Sequence, residues 1–163
     1  MLALGIDPGT AICGYGFVEA NGNHVQARAY GAILTSSKAR MENRLRKLYD
    51  SLQELIATYQ PEVMGVEQLF FSHNATTAIP VGQARGIVLL AAAQNHLPVR
   101  EYTPLQVKQA VTGYGKATKG QVTYMVTKLL HLQTEPKPDD VADALAIGIC
   151  TAHSLGSLIS TRR

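Results

Sequence analysis

The sequence predicts a single α/β domain in which helices flank a five-stranded mixed sheet. Short apolar runs of strand length alternate with stretches whose apolar residues recur at helical spacing. A chain of 163 residues, 46% hydrophobic, can bury one substantial core but is short for two ordinary domains. Two of the apolar runs end directly in an acidic residue, which is where open α/β sheets form their ligand crevices.

The elements follow in order. Leu2 to Ile6 is apolar and is stopped by Asp7-Pro8-Gly9-Thr10, whose turn chemistry leaves Asp7 at the C-terminal end of a buried strand. Ile12 to Glu19 and Val25 to Leu34 read as two more strands, separated by Asn21-Gly22-Asn23, a sequence suited to the positive backbone angles of a hairpin. Leu45, Leu48, Leu52, Leu55, Ile56 and Tyr59 recur as one helical face until Pro61 stops the pattern. Val63 to Val66 is a second buried strand and delivers Glu67 at its end. Ala75 to Asn95, with Gly82, Ala84, Gly86 and Ala91 to Ala93, predicts a central helix able to pack closely on a sheet.

Val99 to Tyr102 supplies the fifth strand. Thr103 to Gln106 has capping-box spacing with proline at the first helical position, opening a short helix that ends at Gly113. Thr118 and Gln121 repeat that spacing ahead of Val122, Met125, Val126, Leu129 and Leu130. After Pro136 and Pro138, a last helix is expected from about Val141 to Leu155, which puts the domain at 1–155 and a short mobile tail at 156–163. Three strands, a helix, and two strands each followed by helices match the ribonuclease H-like plan.

Composition narrows the class. The N-terminus lacks the charged region and long apolar run of a secretory signal, and no apolar stretch approaches the roughly 20 residues of a membrane span, so a cytoplasmic protein is expected. Cys13 and Cys150 show no metal-ligand spacing and read as core thiols. A net charge of +3 and an isoelectric point near 8.9 are only mildly basic. The placement of charge is more telling. From Gln68 to Thr134 the one acid is Glu101, while Arg85, Arg100, Lys108, Lys116, Lys119 and Lys128 all fall there. Charge alone leaves nucleic-acid binding and a solvated basic face both open.

The acids carry the chemistry. Asp7 and Glu67 follow separate strands of one sheet and can face one cleft. Asp140 and Asp143, three residues apart at the start of the last helix, share a helical face. Asp139, Asp140 and Asp143 crowd together in a net-positive chain, which calls for a compensating cation. Oxygen donors without paired cysteine or histidine favour Mg²⁺ or Mn²⁺ over zinc, and two such ions can hydrolyse a phosphodiester. Singly, Asp7 before Pro8-Gly9 reads equally well as a turn residue, and Asp139 or Asp140 as a helix cap. Glu67 after Val63-Met64-Gly65-Val66 is costly to bury without a partner. A shared metal site explains all four at once.

These segments resemble the RuvC family of Holliday-junction resolvases from about Leu4 to His153. Gly5-Ile6-Asp7-Pro8-Gly9-Thr10 with Gly14-Tyr15-Gly16 is similar to the family's opening motif, and Val66-Glu67-Gln68-Leu69-Phe70 to its second. Gly82-Gln83-Ala84-Arg85-Gly86, Gln106-Val107-Lys108-Gln109 and Asp140-Val141-Ala142-Asp143-Ala144-Leu145-Ala146-Ile147 match further segments in the same order.

The resemblance implies a homodimeric crossover junction endodeoxyribonuclease of recombination and repair. It would nick two opposing strands of a four-way junction symmetrically, leaving religatable 5′-phosphate and 3′-hydroxyl ends, and would work with the RuvA–RuvB branch-migration complex. It implies that Asp7, Glu67, Asp140 and Asp143 hold two Mg²⁺ ions, with Mn²⁺ able to substitute, and that Asp139 is a cap or an indirect support. Phe70 would stack on an unpaired base, whereas Phe71 also reads as core. Lys108, Lys116 and Lys119 would contact phosphate. Arg85 would contact phosphate or brace the dimer. Some relatives carry histidine where this chain has Asp140, and none of the five histidines is assigned to catalysis.

Three other functions compete. The opening motif also resembles the first phosphate loop of actin-like ATPases, but those close two such domains around a nucleotide. A related nuclease acting on RNA shares the opening motif. A noncatalytic branched-DNA module would use the basic block, although four carboxylates without a metal would repel phosphate.

Overall fold

The computed structural model describes residues 1–22, 24–69 and 75–160. The strands are β1 (Leu2–Asp7), β2 (Ile12–Asn21), β3 (His24–Leu34), β4 (Val63–Glu67) and β5 (Val99–Tyr102). They form one sheet of order β3-β2-β1-β4-β5, antiparallel between β1 and β2 and between β2 and β3, and parallel from β1 through β4 to β5. This is the five-stranded mixed sheet expected. The helices are α1 (Met41–Tyr59), α2 (Ala75–Gln94), α3 (Pro104–Thr112), α4 (Lys119–Leu129) and α5 (Asp139–Ser160).

Local chemistry sets several boundaries. Gly22 takes a positive φ of 60° in the turn between β2 and β3; Asn23, expected in the same turn, lies outside the described residues. Both capping boxes form, with Thr103 and Thr118 each accepting from the backbone of the glutamine three residues on. Gly113 closes α3 in the left-handed region, at φ 72°.

Other boundaries shift. β1 runs one residue further and includes Asp7, β2 continues to Asn21, and β3 starts at His24. α5 starts at Asp139, before the expected Val141, and continues through Ser160, past the expected stop at Leu155. Residues 156–160 are thus helix rather than tail.

Alternation along the strands divides the core into two layers. Leu4, Ile6, Met64 and Val66 pack with Leu48 and Leu52 of α1 and Val88 of α2. Ala3 and Val63 point to the other face, under Leu145 and Ile149 of α5 with α3 and α4 beside it. By the same period of two, Gly5 and Asp7, like Gly65 and Glu67, belong to the α5 face.

The glycines let α5 settle onto the backbone of the sheet. A β-carbon at Gly5 would run into the backbone of Ala144 and Gly148, at Gly14 into the carbonyl of Asp140, and at Gly65 into the Thr151 hydroxyl. Thr151 is fully buried, and its hydroxyl donates to the Ile147 carbonyl at 2.7 Å.

Gly65→Ala is therefore expected to lift α5 and cost about 1–3 kcal/mol. Urea unfolding should also show Thr151→Ala recovering part of that loss in the double variant. Strictly additive losses would mean that the two side chains do not collide.

Candidate active site

β1 and β4 are adjacent and parallel, with Ile6 opposite Val66, so Asp7 and Glu67 leave the sheet side by side. α5 crosses above them and brings Asp143 in from its second turn. The resulting cavity, about 240 Å³, is lined by Asp7, Glu67, Asp143, Lys108 and Lys119 over an apolar floor that includes Val107, Val122 and Ile147. The structure thus brings together three of the four expected carboxylates and two of the expected lysines. Asp140 does not line the cavity, but its charge is felt at Asp7.

Burial and mutual repulsion dominate the electrostatics. The Asp7 carboxyl is pushed up to about 7, first by burial and then by the charges of Asp143, Asp140 and Glu67, with Lys119 opposing. Glu67 is raised by burial and by Asp143, against the pull of Lys108. Asp143 is raised by burial although Lys119 favours its ionised form. Burial would lower Lys119, but its hydrogen bonds and attraction to Asp143 and Asp139 outweigh that and raise it. Its ammonium lies 3.1 Å from Asp143 Oδ2 and 3.6 Å from Asp139 Oδ2. Asp139 is therefore a partner of Lys119 at the rim.

The donor set fits a hard divalent ion, since every candidate ligand is a carboxylate oxygen and Asp7 registers negative charge that Lys119 only partly relieves. Among the described residues, no three acidic, histidine or cysteine side chains converge closely enough to hold an ion as they stand. Asp143 faces the Lys119 ammonium, so an ion would have to displace that contact.

Arg85 takes a place that the sequence did not disclose. Its guanidinium donates to the Glu67 carbonyl at 2.8 Å and pairs with Glu101 at 2.9 Å, and its side chain is only 13% exposed. Engaged in this way, it ties the end of β4 to α2 and β5, instead of standing free for phosphate. The available signal was Glu101 itself, the lone acid in a basic stretch. Lys116 is exposed and outside the cavity. Phe70 and Phe71, the expected stacking residue and its neighbour, lie outside the described residues.

Comparisons with known proteins place nearly the whole chain in one family. The family model for the crossover junction endodeoxyribonuclease RuvC matches residues 3–151. A crossover junction endodeoxyribonuclease RuvC from Heliobacterium modesticaldum is 59% identical, over 95% of this chain and 96% of that one. The structure of Thermus thermophilus RuvC in complex with Holliday junction substrate superposes with a TM-score of 0.91 at 35% identity, covering 96% of each chain. The yeast mitochondrial Holliday junction resolvase Ydc2, at 14% identity and a TM-score of 0.67 over 99% of this chain and 82% of that one, shares the fold. The fold is the ribonuclease H-like one that the element order predicted.

The Asp7 environment makes ion-free stability depend on pH. With its carboxyl near 7 in the folded chain and 3.8 ordinarily, the folded protein keeps a proton that the unfolded chain has released between those values. Stability from this group is complete below 3.8 and is lost as pH rises towards 7. In ion-free buffer at pH 8, Asp7→Asn should melt about 3 °C higher than wild type, a difference that shrinks towards pH 4. Mg²⁺ or Mn²⁺ should raise the melting temperature of wild type and leave the variant's unchanged. A melting difference independent of both pH and metal would contradict this account of the site.

Proposed function

The chain belongs to the RuvC family of crossover junction endodeoxyribonucleases, and from that membership we propose that it resolves four-way DNA junctions by hydrolysing one phosphodiester in each of two opposing strands. The observation that carries this reading is the convergence of Asp7, Glu67 and Asp143 with Lys108 and Lys119 on one cavity. Asp7, Glu67, Asp140 and Asp143 would hold Mg²⁺, two ions per site, with Mn²⁺ able to replace it. When bound, the ions supply a water activated near neutral pH and stabilisation of the leaving oxygen, giving 5′-phosphate and 3′-hydroxyl ends.

The residues of the chain divide the remaining work. Lys108 and Lys119 attract the scissile phosphate and offset charge that develops on it. Lys119 also neutralises Asp143 until an ion takes over, limiting repulsion of the incoming DNA. Arg85 keeps the Glu67 end of β4 in register. The apolar floor of the cavity excludes bulk water from one side of the carboxylates, which strengthens every charge interaction within it.

A homodimer supplies the second cut. α2 buries Ala84, Val88, Ala91 and Ala92 yet leaves Ile79 and Leu90 exposed, at 63% and 48%. Added β-carbons at Gly82 and Gly86 would meet nothing within 4 Å. Positions 79, 82, 86 and 90 recur at helical spacing, an apolar stripe suited to a second copy of the same helix. Work in recombination and repair with the RuvA–RuvB branch-migration complex, in the cytoplasm, follows from family membership alone. No described helix is long and apolar enough to cross a membrane.

A labelled four-way junction with Mg²⁺ should yield paired, religatable nicks with wild type and none with a linear duplex. Asp143→Asn should lower the rate at least about 100-fold while junction binding in Ca²⁺ survives, and chelation should stop wild type. Wild type that binds but never cuts, with Mg²⁺ or Mn²⁺ and varied junction sequences, would leave a branched-DNA binding module. Leu90→Glu should sediment as a folded monomer and uncouple the two nicks. An unchanged dimer would place the interface elsewhere.

A further inference from the structure

The first turn of α4 separates two cavities. Lys119 and Val122 line the carboxylate cavity, whereas Thr118, Gly120, Tyr124 and Met125 line a second one of about 550 Å³, bounded also by Tyr114 from beyond α3. Tyr114 and Tyr124 are 57% and 55% exposed, so two large rings stay open to solvent on one groove. The Lys128 ammonium sits 5.5 Å from the centre of the Tyr124 ring. Lys116, two residues from Tyr114, is exposed.

The surroundings point to an anionic, aromatic occupant. Between Gln68 and Thr134 the one acid is Glu101, which is engaged by Arg85, so nothing in that stretch opposes the two lysines. Exposed aromatic rings, one with an ammonium over it, suit nucleobases joined by phosphates, because every base has a face to stack and every linkage a charge to pair. The groove also lies just across the first turn of α4 from the cutting site. A helix is about 10 Å across and successive nucleotides about 3.4 Å apart, so a strand lying on Lys119 reaches the groove within about three nucleotides. Gly120, in the turn between the two cavities, is exposed and adds no side chain to that stretch.

We propose that this groove binds the scissile strand beside the cut, with Tyr114 and Tyr124 stacking on bases within about three nucleotides of the scissile phosphate and Lys116 and Lys128 pairing with the adjoining phosphates. The proposal rests on the junction-cutting reading and extends it. Choice among junction sequences then depends partly on how well the bases flanking the cut stack on tyrosine.

The test uses the full chain and junctions carrying a fluorescent adenine analogue at successive positions around the cut, in Ca²⁺ for binding and Mg²⁺ for cleavage. Wild type should quench the analogue at one or more of these positions. Tyr114→Ala and Tyr124→Ala should each weaken junction binding about 10-fold and reduce the quenching, while Tyr→Phe at either position should bind like wild type. At limiting enzyme the cleavage rate of the alanine variants should fall in step with their affinity, and the Tyr→Phe variants should cleave like wild type.

Alanine variants that bind and quench like wild type would overturn the proposal, as would loss of affinity with no quenching by wild type at any position. If wild type neither binds nor cuts an unlabelled junction, the junction-cutting reading itself fails. If wild type does both and the alanine variants match it throughout, only the groove assignment fails.

Discussion

The closeness of α5 to β1 and β4 is the constraint on which the rest of the molecule depends. Asp7 and Glu67 come from strands that pair directly, but Asp143 joins their cavity, and the charge of Asp140 is felt at Asp7, only because α5 lies against strand backbone. Gly5, Gly14 and Gly65 provide that approach, since a methyl at any of them would intrude on the backbone or on Thr151. The same face then accommodates bulky residues further along, where Ala3, Val18 and Val63 meet Leu145 and Ile149. The arrangement of the carboxylates and the packing of the core are therefore set by one contact.

That closeness has an electrostatic cost, which the fold answers with lysine. Carboxylates gathered under partial burial raise one another's proton affinity, Asp7 most clearly. Lys119 stands at the point where the helix and strand acids meet, bound to Asp143 and Asp139. Both groups of the Lys119–Asp143 pair remain substantially exposed, so the contact adds little stability and can be exchanged cheaply for another cation. A stronger, fully buried pair would hold the acids just as close but would resist that exchange.

Much of this was legible in the sequence because it is local. An apolar run ending in an acid identified the ends of β1 and β4, and Thr103 with Gln106 and Thr118 with Gln121 announced two helix starts three residues at a time. One further signal was present but unread: Gly5-Ile6-Asp7 and Gly65-Val66-Glu67 each put a glycine two residues before the acid, on the same face of the strand. The clamp of Arg85 was not legible, because its partners belong to β4 and β5 and no periodicity relates them to α2. Tyr114 and Tyr124 escaped notice for a similar reason, since only the packing of α3 against α4 brings them to one groove. The far end of α5 was not legible, because serines interrupt the apolar pattern of the sequence there.

The place of α5 after all five strands in chain order sets a sequence of events during synthesis. β1, β2, β3 and β4 leave the ribosome first, and at about 5–20 residues per second α5 follows several seconds behind. Until it arrives, the glycine-lined face of the sheet has no cover, and Asp7 and Glu67 stand without their helical counterparts. A truncated product lacking α5 would thus hold two of the four acids on an uncapped sheet. One docking event therefore both covers that core layer and brings Asp143 to face Asp7 and Glu67.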